Sequence, residues 1–583
     1  MSQAQITTDV LIAGGGPCGL MLANELGRRG IRCLLIDPKP GTAFNPQANA
    51  TQVRTMEHFR RLGFAHKIRA QGLPADHPSD IAYLTRFSGR ELARLRLPTA
   101  AAATQVIKTM SGSWSAAELP HRVSQKFVEV TLREEAEKQA SVDVRYGWQL
   151  QAFEDCGDHI EATVAPVNSK GFDKLSPNGD LTDPSTILSK DSITVSAHYL
   201  IGADGARSKV RKQLGFTWEG DTGIKRNFMG GKMFAVYMKA PDFYRLNPND
   251  RAWMYVMVNP ALRAFIMSVD GVSEFAFHTQ VPEGVDGDAF TEADARRLFA
   301  QASGLDIPIE ILSLATWTAG HALVASGFQK GRVILGGDAV HLFTPTGGLG
   351  YNTAVEDAVN LGWKLAAVIK GQAPATLLDS YEQERKPLAE RNTGHARRLA
   401  DSIGLFDAVP ELDDDSPTGE QARQIASEYL NAHVRREFNI PGITFGGRYD
   451  GSPLIVPDGT TPPVDAANSY TPSACPGGRP PHAWLADGRS LYDSFHFEWT
   501  LLVLGPKPPT VSAFETYARE RGISLAVVRH AAEELLALYE APLVLIRPDH
   551  IIAWRGHSDV VAQAVIAQAT EASAPGFRAV SRC

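Results

Sequence analysis

The sequence is poor in the features that would commit it to disulfides, metal clusters, membranes or nucleic acid. Five cysteines occur in 583 residues, at 18, 33, 156, 475 and 583, with no CxxC and no paired Cys/His spacing. That scatter argues against a disulfide framework and against zinc or any other bound metal. The net charge is −7, so the basic excess that phosphate backbones require is missing and nucleic acid is excluded as a partner. No apolar run is long enough to span a bilayer, and no charged-then-apolar leader opens the chain, so a cytoplasmic location is expected. At 44% hydrophobic and 21% charged residues the composition is that of an ordinary globular protein, long enough for two or three domains.

Glycine, by contrast, is concentrated where nucleotides are held. The strand-like run Asp9 to Ala13 leads into GGGPCGL, in which Gly14, Gly16 and Gly19 fit GxGxxG around Pro17 and Cys18. A helical pattern follows from Leu20 to Arg29, and a second strand, Arg32 to Ile36, ends in Asp37. This βαβ unit places a pyrophosphate on a helix N-terminus and a carboxylate against an adenosine ribose. Cys18 reads as a small residue tolerated near the pyrophosphate, not as a reactive thiol. A second block, GADGARSKVR from Gly202 to Arg211, follows the apolar run Tyr199 to Ile201. In the third, GDAVHLFTPTGGLGYNT, Asp338 sits after the apolar run Val333 to Leu335, placed for a ribityl or ribose hydroxyl. Its glycines, Gly347 to Gly350, leave N–H groups bare at a helix start, where the dipole can stabilise negative charge on a reduced flavin ring.

In this order and spacing the blocks resemble the class A flavoprotein aromatic hydroxylases, which share the p-hydroxybenzoate hydroxylase fold, and within them the phenol hydroxylases with an extra C-terminal domain. PHRVSQKFVE and VRTMEHFRRLG extend the resemblance, which runs from about Asp9 to Arg391 and resumes in PGGRPPHAWL and LVLIRPDHIIAWRG. It implies FAD, with NADPH or NADH as reductant and dioxygen as co-substrate, hydroxylation through a flavin C4a-hydroperoxide, and a homodimer. It also implies that Arg122 and Gln125 contact the flavin, that Arg54 lies near the pyrophosphate, and that Asp204 and Gly205 touch both FAD and the nicotinamide path. Pro345 would lie against the flavin edge and substrate, with Gly348, Gly350, Tyr351 and Asn352 completing the cradle. His341 reads as structural.

One position departs from the pattern. The branch places a phenol-deprotonating Asp or His five residues before the arginine matched by Arg54, and here that residue is Asn49. An amide cannot take a proton and can only orient a partner. Three explanations stay open: the substrate arrives as a phenolate, another residue is the base, or the ring is a different electron-rich one. Tyr255, Tyr237 and His278 are candidates for such a base, each with a packed core aromatic as the plain alternative.

The expected architecture is α/β (α+β overall). A Rossmann-like FAD domain is assembled from residues 1–75, 112–214 and 328–400. It is interleaved with a substrate domain from 76–111 and 215–327, whose antiparallel strands come from Ile81 to Leu97 and Asn227 to Val281. Residues 401–456, including ELDDDSP, read as a helical, acidic linker, and Pro166 to Asp191 as an exposed insertion. Residues 457–583 alternate strand and helix as in a thioredoxin-like domain, without the paired thiols that redox chemistry needs. The resulting expectation is a monooxygenase of a phenolic or similar electron-rich aromatic. A relative acting on a larger polyketide or antibiotic-like aromatic, and a non-catalytic flavin-binding scaffold, are the alternatives.

Overall fold

The computed structural model describes residues 5–167, 191–222 and 230–571. Most of the expected insertion, and the first residues of the segment from Asn227, lie outside them. The chain divides into two compact units. The first takes residues 1–109, 118–355 and 389–440, and the second 110–117, 356–388 and 441–583.

In the first unit, among the described residues, eight strands form one sheet. Its parallel centre runs Val333–Leu335, Ile193–Gly202, Gln5–Ala13, Cys33–Asp37, Val142–Tyr146. Val10 to Ile12 and Leu34 to Ile36 are almost wholly buried, as expected for strands covered on both faces. The pairing of Gln5–Ala13 with Ile193–Gly202, in parallel over most of its length, brings residues far apart in sequence side by side.

A second sheet of seven strands runs Glu310–Ala319, Gly231–Lys239, Glu274–Gln280, Arg263–Ser268, Met254–Val258, Ile81–Leu84, Glu91–Leu95. It is antiparallel except where Met254–Val258 meets Ile81–Leu84. Alternation separates its faces. Val256, Phe265, Met267 and Ala276 belong to one apolar cluster, whereas Tyr255, Met257, Ile266 and Phe277 belong to another.

Residues 417–438, within the segment expected as a helical, acidic linker, form an α-helix that belongs to the first unit. Ser416 caps it by accepting the Gly419 N–H, and Pro417 occupies its first turn. Its apolar stripe, Ala426, Leu430 and Val434, joins the cluster of Val256 and Met267. Even the acidic run is partly structural, because Leu412 within it is buried in the same cluster.

The second unit contains a four-stranded sheet ordered Leu525–His530, Trp499–Leu504, Leu543–Ile546, Ile552–Gly556. The first pair is parallel and the others antiparallel, and helices Ser512–Glu520, Glu533–Tyr539 and Ala562–Glu571 complete a thioredoxin-like order. The same unit buries a charge network. The Glu384 carboxylate accepts from Lys364 at 2.6 Å, Arg547 at 2.6 and 2.8 Å, Ser452 at 2.6 Å and Asn360 at 2.7 Å. Arg547 also pairs with Asp549 at 2.7 Å. Burial alone would raise the Glu384 carboxyl, but Arg547 and Lys364 hold it far below the usual carboxylate range. Among the described residues, no helix is long and apolar enough to cross a membrane.

Candidate functional site

The glycine motifs converge at the C-terminal ends of the parallel strands, where open α/β sheets hold ligands. Ala203 N donates to Ala13 O at 2.8 Å, Gly14 N to Ile36 O at 2.8 Å, and Gly336 N to Gly202 O at 3.1 Å. Gly14 has φ +120°, and a Cβ there would stand 2.0 Å from Ala203 O, so the GxGxxG turn and the GADG turn fit only without a side chain. Gly16 caps the helix Pro17–Gly27, whereas a Cβ on Gly19 would strike Gly14 O at 1.9 Å. Nothing lies within 4 Å of a Cβ on Gly16, which leaves that side open for close approach of a phosphate. Cys18 is buried, and a side chain on Gly337 would meet its Cβ at 2.9 Å.

Several expected nucleotide contacts already organise the chain. Asp37 accepts the N–H groups of Gly15 at 2.7 Å and Lys39 at 2.8 Å, with further acceptor capacity on each oxygen. Asp204 accepts from the Ser208 hydroxyl at 2.5 Å and the Lys209 N–H at 2.7 Å, and so builds the turn into the helix Lys209–Leu214. Burial raises its carboxyl, and the Ser208 hydrogen bond opposes that rise. Gly205 has φ +78° with open space around it. Arg54 is ion-paired to Glu57 at 3.0 Å, and Gln125 donates to Glu129 at 2.7 Å. Asp338 is exposed in the turn Gly337–Ala339.

The TPTGG loop is pinned on both sides of the exposed Pro345. Thr344 donates to His321 O at 3.0 Å and Thr346 to Ala396 O at 2.7 Å. Gln52 Nε2 holds Gly347 O at 2.8 Å, and Asn352 ties the loop to Gln52, Thr55, Ala50 and Gly348 through four hydrogen bonds. Tyr351 and Thr51 hydroxyls lie 3.3 Å apart. One expectation needs correction: the Gly347 N–H is not bare but donates to Glu437 Oε1 at 3.1 Å. The amides of Gly348, Leu349 and Gly350 have no acceptor among the described residues. They form a donor cluster at the start of the helix Gly350–Ile369, which fits the electron-rich pyrimidine edge of a flavin.

Asn49 is buried next to this loop, since its neighbour Ala50 would contact a Cβ on Gly348 at 2.9 Å. Among the described residues its Nδ2 reaches only the Met267 sulfur, at 3.7 Å, and its Oδ1 is a buried acceptor without a partner. Arg122 is buried too, its guanidinium 4.3 Å from the Trp253 ring centroid and 5.5 Å from that of Phe438. His278 stacks on Phe265 at 4.7 Å and receives the Trp317 indole N–H on Nδ1 at 3.2 Å. Burial lowers His278 to about 4, so it is neutral near pH 7 with its proton on Nε2.

Of the three candidate bases, none is free to serve. Tyr255 belongs to the apolar cluster on the face away from Asn49 and Met267, its hydroxyl closed between Ala252 N at 2.9 Å and Asp250 O at 3.1 Å. It is a core residue, and its catalytic assignment does not hold. Tyr237 does face the Met267 cluster, but it donates to Glu274, accepts from Lys126 at 2.6 Å, and is raised by burial and Glu274. His278 has its basic nitrogen occupied.

Sequence reasoning missed the pair His433 and Glu437. His433 Nε2 lies 3.0 Å from Glu437 Oε2, and the other oxygen of that carboxylate holds Gly347 N–H. The i,i+4 spacing in AHVRREF was the available signal, hidden inside a segment taken for a linker.

Comparison with known proteins decides the class. The FAD binding domain family matches residues 7–396, and the aromatic-ring hydroxylase C-terminal family matches residues 473–574. The chain belongs to the FAD-dependent aromatic-ring hydroxylases. This hydroxylase is 30% identical to an FAD-dependent monooxygenase of Emericella nidulans, over 96% of its own chain and 90% of that one. It is 29% identical to a phenol 2-monooxygenase of a Pseudomonas species, over 95% and 91% of the two chains. The solved structure of RebC soaked with chromopyrrolic acid and holding 7-carboxy-K252c is similar at TM-score 0.83 and 33% identity, covering 98% and 100%. The hydroxylase is thus a flavoprotein monooxygenase that uses FAD, with NAD(P)H as reductant.

Proposed function

We propose that this hydroxylase inserts one oxygen atom of dioxygen into an electron-rich aromatic ring that presents an O–H or N–H to Asn49. The observation carrying this reading is the buried, unpartnered Oδ1 of Asn49 beside the open amides of the Gly348 loop. A buried acceptor left unsatisfied costs about 1–3 kcal/mol, which a donor on the substrate offsets. Bound FAD supplies the reduction by NAD(P)H and the activation of dioxygen. The chain's own part is positioning. Gly16 and the helix Pro17–Gly27 receive the pyrophosphate and Asp37 the ribose. Gly348, Leu349 and Gly350 donate to the flavin edge, Asn49 orients the ring, and Trp253, Phe265 and Met267 keep water away.

Among the described residues Tyr237 and His278, the candidate bases facing this side, have their basic atoms engaged, so the ring's own acidity sets how much phenolate is present. Relatives named for phenol and for polyketides leave both ring sizes within this reading. Homodimer formation and a cytoplasmic location belong to the same proposal, the first checked by sedimentation.

The test is NAD(P)H oxidation by the FAD-loaded enzyme with a panel of phenols and indoles of graded acidity and size, hydroxylated product being counted against hydrogen peroxide. Product from rings with a free O–H or N–H, and none from their methylated counterparts, supports the reading. Equal product from both rejects it.

A further inference from the structure

Glu437 is a buried carboxylate set against the loop assigned to the flavin edge. Its Oε1 accepts the Gly347 N–H at 3.1 Å, and its Oε2 lies 3.0 Å from His433 Nε2. The other hydrogen bonds described for residues 344–348 join neutral groups: Thr344 to His321 O, Thr346 to Ala396 O, Gln52 to Gly347 O and Asn352 to Gly348 O. A neutral acceptor would hold Gly347 as well, and a buried charge is costly. The charge is therefore the feature that pinning alone leaves unexplained.

The surroundings keep that charge. Ser402 Oγ accepts from Arg436 at 2.9 Å, and among the described residues its own proton has one acceptor, His433 Nδ1 at 3.1 Å. This order leaves the ring proton on Nε2, which donates to Glu437, so the histidine is neutral and the carboxylate stays anionic. Among the described residues no Lys or Arg forms an ion pair with Glu437. Its field nevertheless reaches Arg122, whose guanidinium burial pulls down to about 10 and Glu437 raises. Gly347 stands just ahead of the helix Gly350–Ile369, whose N-terminal end favours negative charge. A carboxylate at that end offsets part of the effect.

Hydride transfer from NAD(P)H adds two electrons and one proton to a neutral flavin ring and leaves one negative charge on it, with NAD(P)+ released. We infer that Glu437 is a positioning residue that holds the flavin-side loop by its acceptor oxygen and, by its charge, makes the bound flavin harder to reduce. This rests on the proposed seat of the flavin at the Gly348 loop and not on which ring is hydroxylated.

The test equilibrates the FAD-loaded protein with a reference dye of known potential, without substrate, so the readout involves no turnover. Glu437→Gln keeps an acceptor for Gly347, and His433 can move its proton to Nδ1 and donate it to Ser402. It should therefore retain FAD as the wild type does, while the affinity for reduced relative to oxidised FAD rises ~10-fold, or about 30 mV in the two-electron potential. Glu437→Met, uncharged and unable to hold Gly347, should show the same rise together with a several-fold loss of FAD. A potential in Glu437→Gln that stays at the wild-type value or falls overturns the inference. So does a loss of FAD equal to that of Glu437→Met, because the residue then only supports the fold. If Glu437→Gln does not fold, the potential of Glu437→Met decides. Full FAD content in both Glu437→Met and Gly348→Ala removes the flavin from this loop and the inference with it. FAD loss in Gly348→Ala with no shift in Glu437→Gln leaves the seat standing and removes only the role of Glu437.

Discussion

Two buried polar clusters in this protein are built on opposite terms. In the second unit Glu384, Lys364 and Arg547 lie at 0% exposure, and every charge meets its opposite through short hydrogen bonds. In the first unit Asn49 and Arg122 are nearly as deeply buried, yet Asn49 Oδ1 accepts nothing and Arg122 pairs with nothing described. Burial penalises both clusters. Paired charges rigidify one arrangement of the chain, although Asn360 Oδ1 within that network is itself an acceptor without a partner among the described residues, whereas uncompensated polar groups in loops packed against the sheet are where a ligand can gain a hydrogen bond. The distinction is not visible from residue types, since Arg and Asn occur in both.

The comparison is broken most severely by Glu384→Ala, which strips the counter-charge from Lys364 and Arg547. A loss of about 3–5 kcal/mol is expected, read from urea unfolding, and a loss under ~1 kcal/mol would mean the network is not the anchor it is taken for. Next comes His278. Its lowered value of about 4, against 6.5 when unfolded, means the unfolded chain binds the extra proton between those values, so stability is complete above pH 6.5 and declines as pH falls towards 4. His121, lowered also to about 4 by burial and Arg69, acts in the same direction. His278→Phe should flatten this decline by on the order of 3 kcal/mol at pH 4, and an unaltered acid limb in thermal unfolding would remove His278 from the account.

Gly348→Ala sharpens the comparison on the cofactor side. With φ +63° and a Cβ 2.9 Å from that of Ala50, it should cost the fold about 1–2 kcal/mol and lower FAD content several-fold, and full flavin occupancy would contradict the assigned cradle. The smallest effect on stability, and the most telling, belongs to Asn49→Leu. Removing an orphan acceptor should leave the enzyme as stable as before, or more so by up to about 1 kcal/mol, while product per NAD(P)H falls roughly tenfold. A destabilised but fully coupled variant would make Asn49 a structural residue.

The nucleotide end was legible because its constraints are local: a turn that admits no Cβ at Gly14, a helix start at Pro17 and an acid at the end of a strand each leave a mark within a few residues. The substrate face was not. Strand alternation shows that Met254 and Val256 differ in facing from Tyr255, but not which side meets the flavin, and that is decided by where Asn49 and the helix Pro417–Phe438 pack. Glu437 was missed for the same reason. Its partner, the Gly347 amide, lies in another motif, and the acidic run before the helix drew attention from the apolar spacing of Ala426, Leu430 and Val434.

The interleaving also sets a schedule for synthesis. The strand Gln5–Ala13 leaves the ribosome first, but its neighbour Ile193–Gly202, the strand Val333–Leu335 beside that, and the loop at Gly348 emerge much later. At ~5–20 residues per second, Gly14 waits on the order of 20–60 s for the rest of its cradle. Flavin capture therefore waits until Gly348 has emerged, past the middle of synthesis, and a chain interrupted before Gly348 is left with an incomplete cradle, and one interrupted before Ile193 with a half-built sheet whose exposed edge is free to pair with its own kind.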